Sequence, residues 1–336
     1  MTGVQTCALP ISIIFISHKL REIKALTDRL TIMRDGASQG IYNTSDISEE
    51  EISRLMVGRN VDLTLNKNIP TPGEVVLKVR DLEYTNEWNK KMLDKVSFSL
   101  RSGEILGIAG VEGNGQRELV DILFNLAPAE AGTVEVNGQN TLHFSHKKLR
   151  KSGISLIPED RMTYGIAGSG TISENVISDR FDKKELNKGP LFNMKAIESE
   201  SNRLIEEYQV LCKSGKQQVK MLSGGNIQKV VVAREFSSNP KLIIADQPTR
   251  GIDVGAAEFI HKKLVELSRG GAAVLLVSAD LNEVMQLSDS LMVFNNGHIA
   301  AYFPEMTGLN DVMLGEYMLG LKQQSPETIR EVCHEE

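Results

Sequence analysis

The chain has 336 residues, 41% hydrophobic and 24% charged, with a formal charge of −6. That length holds one large or two ordinary domains with sizeable cores, and the acidic balance excludes a basic footprint for a nucleic-acid backbone. Three scattered cysteines (Cys7, Cys212, Cys333) lack metal-ligand spacing and suit a reducing cytosol better than a disulfide framework. No apolar run approaches the ~20 residues that cross a bilayer, so any membrane role is expected to be peripheral, through a partner protein.

In chain order, Met1 to Pro10 (MTGVQTCALP) has no periodicity and fits no secretory signal. Ile13-Ile14-Phe15-Ile16 comes next, an apolar run typical of a core strand. A domain rarely begins on a central strand, so residues 1–11 read as an unrelated, artificial or truncated start. The segment IIFISHKLREIKALTDRLTIMRDG then resembles VLLVSADLNEVMQLSDSLMVFNNG near the other end. Ser17 matches Ser278, Glu22 matches Glu283, Asp28 matches Asp289 and Gly36 matches Gly297, each pair 261 positions apart. That period is the size of a domain. Chance likeness of two strand–helix–strand units is the bland alternative. A tandem duplication accounts for the aligned pairs better, with residues 12–62 as the end of a first copy. Residues 63–73, containing NKNIPTPG, read as a linker.

A second copy is expected over 74–321. It opens with strands at Val75–Val79, Val96–Leu100 and Glu104–Ala109, and a turn at Asn137-Gly138 closes a hairpin. A buried strand at Ile154–Ile157 precedes a helical block over about 172–239, with helical periodicity from Met194 to Val210. A helix after Asn226, a strand at Leu242–Ala245, a helix from Ala256 and a strand at Ala273–Val277 complete an α/β pattern with a largely parallel sheet. Residues 322–336 read as a polar, solvated tail.

The chemistry-bearing motifs lie on this frame. Gly110-Val111-Glu112-Gly113-Asn114-Gly115-Gln116-Arg117 comes directly after the strand EILGIA and opens a helix. Glycines let backbone N–H groups converge on a phosphate, and the helix N-terminus adds positive charge. A P-loop continues Gly-Lys-[Ser/Thr]; here Gln116 takes the lysine position and Arg117 the hydroxyl position. A tight turn with no ligand fits this loop equally well.

Leu222-Ser223-Gly224-Gly225-Asn226-Ile227-Gln228 resembles the LSGGQ signature of ABC ATPases, with a plain helix cap as the alternative. In that family the serine hydroxyl, the glycine N–H groups and the helix N-terminus bind the γ-phosphate held by an opposing domain. Leu242-Ile243-Ile244-Ala245-Asp246 then resembles Walker B, whose Asp holds Mg²⁺ through water. Gln247 stands at the catalytic glutamate position, and Asp253 at the D-loop. Glu159 in Pro158-Glu159-Asp160-Arg161 stands at the Q-loop position, and Ala279 at the switch-histidine position. The 261-residue offset pairs Ala279 with His18, which the resemblance makes the first copy's switch histidine. Tyr84 or Trp88 is the adenine-stacking candidate.

The resemblance implies a P-loop NTPase of the ABC type, with a mixed sheet core, antiparallel edge strands and a helical signature subdomain. The strings GVEGNGQREL, IPEDR, LSGGN and QPTRGIDVGA resemble importer ATPases for monosaccharides and nucleosides. GVEGNG with a Gln before Pro248 leans toward the nucleoside members, whereas Asp246 departs from them. Likeness to that group implies ATP and Mg²⁺ as cofactors, with a second nucleotide-binding domain and a transmembrane permease as partners. It also implies a solute-binding protein as an indirect partner, and the cytoplasmic membrane face as location. In a head-to-tail sandwich LSGGN completes the first copy's site, while the site with Gln116, Gln247 and Ala279 is impaired. This chain alone is therefore expected to hydrolyse little. A non-catalytic dimerisation or regulatory module is the rival reading; a ribosome- or DNA-acting ABC protein needs basic linkers or coiled coils that the sequence lacks.

Overall fold

The computed structural model describes residues 12–34, 36–59 and 73–333; the start with Cys7 and nearly all of the 63–73 linker lie outside the described residues. The chain divides into two compact units, residues 1–63 with 253–258 and residues 64–252 with 259–336.

In the first unit, helix α1 (Leu20–Leu26), the antiparallel pair β1 (Arg29–Arg34) and β2 (Ala37–Asn43), and helix α2 (Glu49–Val57) surround a small core of Ile32, Ile47 and Ile52. Ser48 caps α2 by accepting from the Glu51 N–H, and Gly58 ends it at φ 83°, where glycine carries no Cβ penalty. The expected core strand at Ile13–Ile16 is a correction. These residues form no strand, and Ile14 is 91% exposed. A fully apolar strand is stable inside a sheet covered on both faces. Among the described residues of this unit the sheet is only the β1–β2 pair, which offers no such place.

The second unit begins with β3 (Val75–Thr85), β4 (Lys91–Arg101), β5 (Ile105–Gly110), helix α3 (Gln116–Leu123), β6 (Ala131–Val136) and β7 (Gln139–Asn140). Helix α4 (His146–Lys151) and β8 (Ile154–Ile157) come after them. Next are α5 (Ile172–Ile177), a short hairpin of β9 (Asn187–Lys188) and β10 (Leu191–Phe192), α6 (Met194–Glu207) and α7 (Gly224–Phe236). The chain returns through β11 (Leu242–Asp246), α8 (Val254–Arg269), β12 (Ala273–Val277), α9 (Leu281–Leu287), β13 (Ser290–Asn295) and β14 (His298–Phe303), and ends in α10 (Asp311–Met318) and α11 (Pro326–Val332).

Six strands form the main sheet in the order β14-β13-β5-β12-β11-β8, all parallel except β14. β5, β8, β11 and β12 are buried along nearly their whole length, which is why they read as unbroken apolar runs instead of alternating ones. Apart from the β9–β10 hairpin, the other antiparallel strands of this unit make a separate four-stranded sheet, β4-β3-β6-β7, closed by Asn137 and Gly138 at φ 50° and 74°. Both positive angles suit a two-residue hairpin turn. β3 and β4 run longer than the apolar pattern indicated, because exposed polar positions such as Arg80 and Lys91 still pair.

The expected solvated tail packs instead against the second unit. Gln324 N–H donates to the Ala300 carbonyl, its Oε1 accepts from Tyr302 N–H, and Cys333 is 1% exposed in the main core. Ser325 caps α11 with Pro326 at the first turn, so the helix signal lay in the sequence behind polar neighbours.

The offset of 261 recurs in the elements. α1 and α9, and β1 and β13, are displaced by that amount at both ends. The pairing irregularities also correspond, at Ile32/Met33 and at Val293/Phe294. Lys19 N–H donates to Ser17 Oγ at 3.0 Å, as Asp280 N–H does to Ser278 Oγ at 3.1 Å.

Candidate functional site

β5 delivers the glycine-rich loop to the edge of a cleft. Gly115, at φ 108°, precedes α3, and a Cβ there would stand 2.2 Å from the Met92 carbonyl oxygen. Only glycine fits this turn. The Asn114 carbonyl accepts from Gly297 N–H at 3.1 Å, and Asn114 Oδ1 accepts from Asn296 N–H at 3.2 Å, so the β13–β14 turn braces the loop. Lys90 Nζ donates to the Gly113 carbonyl at 3.4 Å. Gln116 is 9% exposed, and its Nε2 donates to the Val111 carbonyl at 3.3 Å. Its side chain folds back into the loop, against Gly110.

Across the cleft, β11 ends at Asp246, whose residue is 7% exposed. Burial, reinforced by the nearby Asp121 carboxylate and opposed by Arg117, pushes its carboxyl up to about 7. The same cleft, about 590 Å³, is lined by Glu112, Arg117, Asp121, Glu159, Arg161 and Arg250 among others. Arg117 Nε lies 3.9 Å from Asp121 Oδ2.

Three loops close around Asp246. Gln247 sits at φ 50°; its N–H donates to the Val277 carbonyl, and its Oε1 accepts from Ala279 N–H at 3.1 Å. The Gln247 amide thus clasps the β12–α9 loop. Glu159 pairs with Arg250. Arg161 donates to the carbonyls of Arg250 at 2.7 Å and Gly251 at 3.3 Å. Asp160 turns the chain between them by accepting from Met162 and Thr163 N–H groups. Thr249 Oγ1 donates to Glu283 Oε1 at 2.7 Å, and the same oxygen meets His261 Nε2 at 2.8 Å. Asp253 Oδ1 accepts from Ala256 N–H and starts α8.

Helix α7 begins at Gly224, three residues before the expected start, because both glycines of the motif already adopt helical geometry. Ser223 stands at the cap, exposed, yet its side chain makes no cap bond. Its Oγ accepts from Asn226 Nδ2 at 2.9 Å, and Asn226 Oδ1 accepts from Leu211 N–H. The first N–H groups of a 13-residue helix are left without a side-chain cap, an arrangement suited to an external anion. Gln228 Nε2 donates to the Pro248 carbonyl at 2.7 Å and ties this helix to the end of β11.

The family model for ABC transporters matches residues 93–250. The chain carries an ABC transporter domain. It is 38% identical over 294 residues to a glucose import ATP-binding protein of Haloferax volcanii, covering 86% of this chain and 53% of that one. It is 36% identical to a nucleoside import ATP-binding protein of Lactococcus lactis (92% and 61%), and 38% identical to a guanosine import ATP-binding protein of Bacillus subtilis (89% and 58%). The chain therefore spans little more than half the length of these relatives. Among solved structures, a dimeric ATP-binding cassette with ADP and Pi aligns over 69% of this chain and all of its own, at TM-score 0.59 and 22% identity. A nucleotide-free cassette aligns over 76% of this chain and 98% of its own, at 0.56 and 24%. These likenesses show the fold alone.

In ABC terms, the phosphate-loop, Walker B and Q-loop positions share one cleft, with Gln247 and Ala279 joined beside it. Ser223 and its neighbours do not line that cleft. His18 is exposed and belongs to the first unit. Tyr84 is partly buried against the core, whereas Trp88 is 78% exposed on the hairpin that also carries Lys90. P-loops hold Mg²⁺ through a hydroxyl after the lysine and a carboxylate at the strand end. Asp246 offers the carboxylate, but Arg117 replaces the hydroxyl, and a guanidinium has donors and no acceptor. The loop's own residues suit a phosphate and do not fit a Mg²⁺ clasp. Sequence reading missed Arg161 and Glu283 as loop ties; Glu283 was already marked by its pairing with Glu22.

Proposed function

We propose that the chain is part of the ATP-binding subunit of an ABC importer for a nucleoside or a simple sugar, and that it supplies the LSGGN signature to nucleotide held by another cassette domain. In this reading residues 12–62 are the end of one cassette domain and 74–321 a second, with the helical subdomain at 172–239. Support comes from the recurring offset and from the relatives. The substrate reading rests on the names of those relatives, which span both solute classes.

One observation carries the division of labour. The signature helix presents an uncapped N-terminus beside an exposed Ser223, while Gln116 is folded into its own loop. The first half-site is open to a phosphate, and the second has lost its lysine. Ser223, Gly224, Gly225 and Asn226 then complete the partner's ATP and Mg²⁺ site, with Leu222 and Gln228 holding the helix in place. Gly110 to Arg117 and Asp246 hold a nucleotide with little turnover. Gln247 orients water but cannot take its proton, Ala279 offers no side-chain contact to phosphate, and loss of a general base alone costs about 10²–10⁴-fold. Glu159 and Asp253 act as loop anchors, and His18 serves the first domain's site. A permease docked at the cytoplasmic membrane face accounts for membrane attachment, since no described helix is long and apolar enough to cross a membrane. Steady-state phosphate release tests the reading: the chain alone is expected to show almost none. Release at the rates of ordinary ABC ATPases, abolished by Ser223→Arg, would contradict it.

A further inference from the structure

We propose that the chain's own phosphate loop binds nucleotide triphosphate without Mg²⁺, with the Arg117 guanidinium supplying the charge that the metal and the lysine supply elsewhere. The inference rests on the reading of this loop as a nucleotide site. Three cationic side chains line the cleft beside Asp246 among its described residues: Arg117, Arg161 and Arg250. Arg250 is held by Glu159, and Arg161 by the carbonyls of Arg250 and Gly251. Arg117 makes a long contact of 3.9 Å to Asp121, one helical turn on, and its side chain is 67% exposed. Such a pair is weak, so the guanidinium is available to swing onto a phosphate at the N-terminus of α3.

Its planar fork matches two phosphate oxygens, which the missing lysine would have met as a point charge. A divalent ion placed between Asp246 and the phosphates would face this guanidinium at short range, and like charges there repel.

The test is titration of the chain with a fluorescent ATP analogue, once with excess Mg²⁺ and once with EDTA. Similar affinity in both is expected. Arg117→Ser should weaken binding in EDTA by about tenfold or more, as loss of a charge-assisted bidentate contact does, and Arg117→Lys should recover part of it. Unchanged melting temperatures of both variants establish that they fold. Mg²⁺ tightening the unaltered chain by about tenfold, or Arg117→Ser binding as well as the unaltered chain in EDTA, overturns the inference while the nucleotide site stands. Absence of binding in both conditions overturns the inference and the nucleotide reading together.

Discussion

At the level of single residues, the chemistry of the cleft follows from how each side chain is buried and paired. Asp246 shows this most directly. Burial and Asp121 raise its carboxyl from 3.8 to about 7, so the folded state holds a proton that the unfolded chain releases earlier. Stability from this group is fully present below about pH 4 and is lost as pH rises toward 7. Asp246→Asn removes the titration, and urea unfolding is expected to show a gain of about 4 kcal/mol at pH 8 and about 2 at pH 5, from ~1.4 kcal/mol per unit. A gain independent of pH would refute the assignment. The identities of Gln116 and Asp246 were legible in the sequence. The inward turn of Gln116 was not, because its acceptor, the Val111 carbonyl, is positioned by the fold of the loop.

Among the elements, α7 joins the LSGGN run to the rest of its unit. Its last turn carries Glu235, which burial would make a weak acid; Arg234 and Arg150 together hold its carboxyl below the usual range. Arg150 contacts both Glu235 oxygens, at 2.9 and 3.0 Å, and Arg234 Nε lies at 2.8 Å. Removing one partner of a buried pair leaves an uncompensated charge, so Arg150→Met is expected to cost about 3 kcal/mol in urea unfolding. A loss under ~0.5 kcal/mol would show that Arg234 alone suffices. The glycines and Asn226 of this helix were readable by their order. Its start at Gly224 was not, since the glycine pair signals a loop as readily as a helix. α11 was hidden by polar neighbours; Ile329 packs against the main core and Cys333, at the helix end, is buried in it.

Over the whole chain, a period read from letters returned as a period of elements. α1, β1 and the irregularity in β1 stand 261 residues before α9, β13 and the irregularity in β13. That much was visible in pairs such as Ser17 and Ser278. The Ile13–Ile16 run misled, because hydrophobicity announces a buried strand only where a sheet is present to receive it. The proposed function stands or falls on whether Ser223 and its helix serve a phosphate loop other than the chain's own. A mixing experiment decides this, pairing the chain with a cassette domain that has an intact Gly-Lys-[Ser/Thr] loop but arginine in place of its own signature serine. Phosphate release should appear on mixing and vanish when the chain carries Ser223→Arg, while Gln116→Ala leaves it within about twofold, since Gln116 holds no part of that site. Release that survives Ser223→Arg, or that Gln116→Ala abolishes, would show that the signature does not serve the partner's nucleotide.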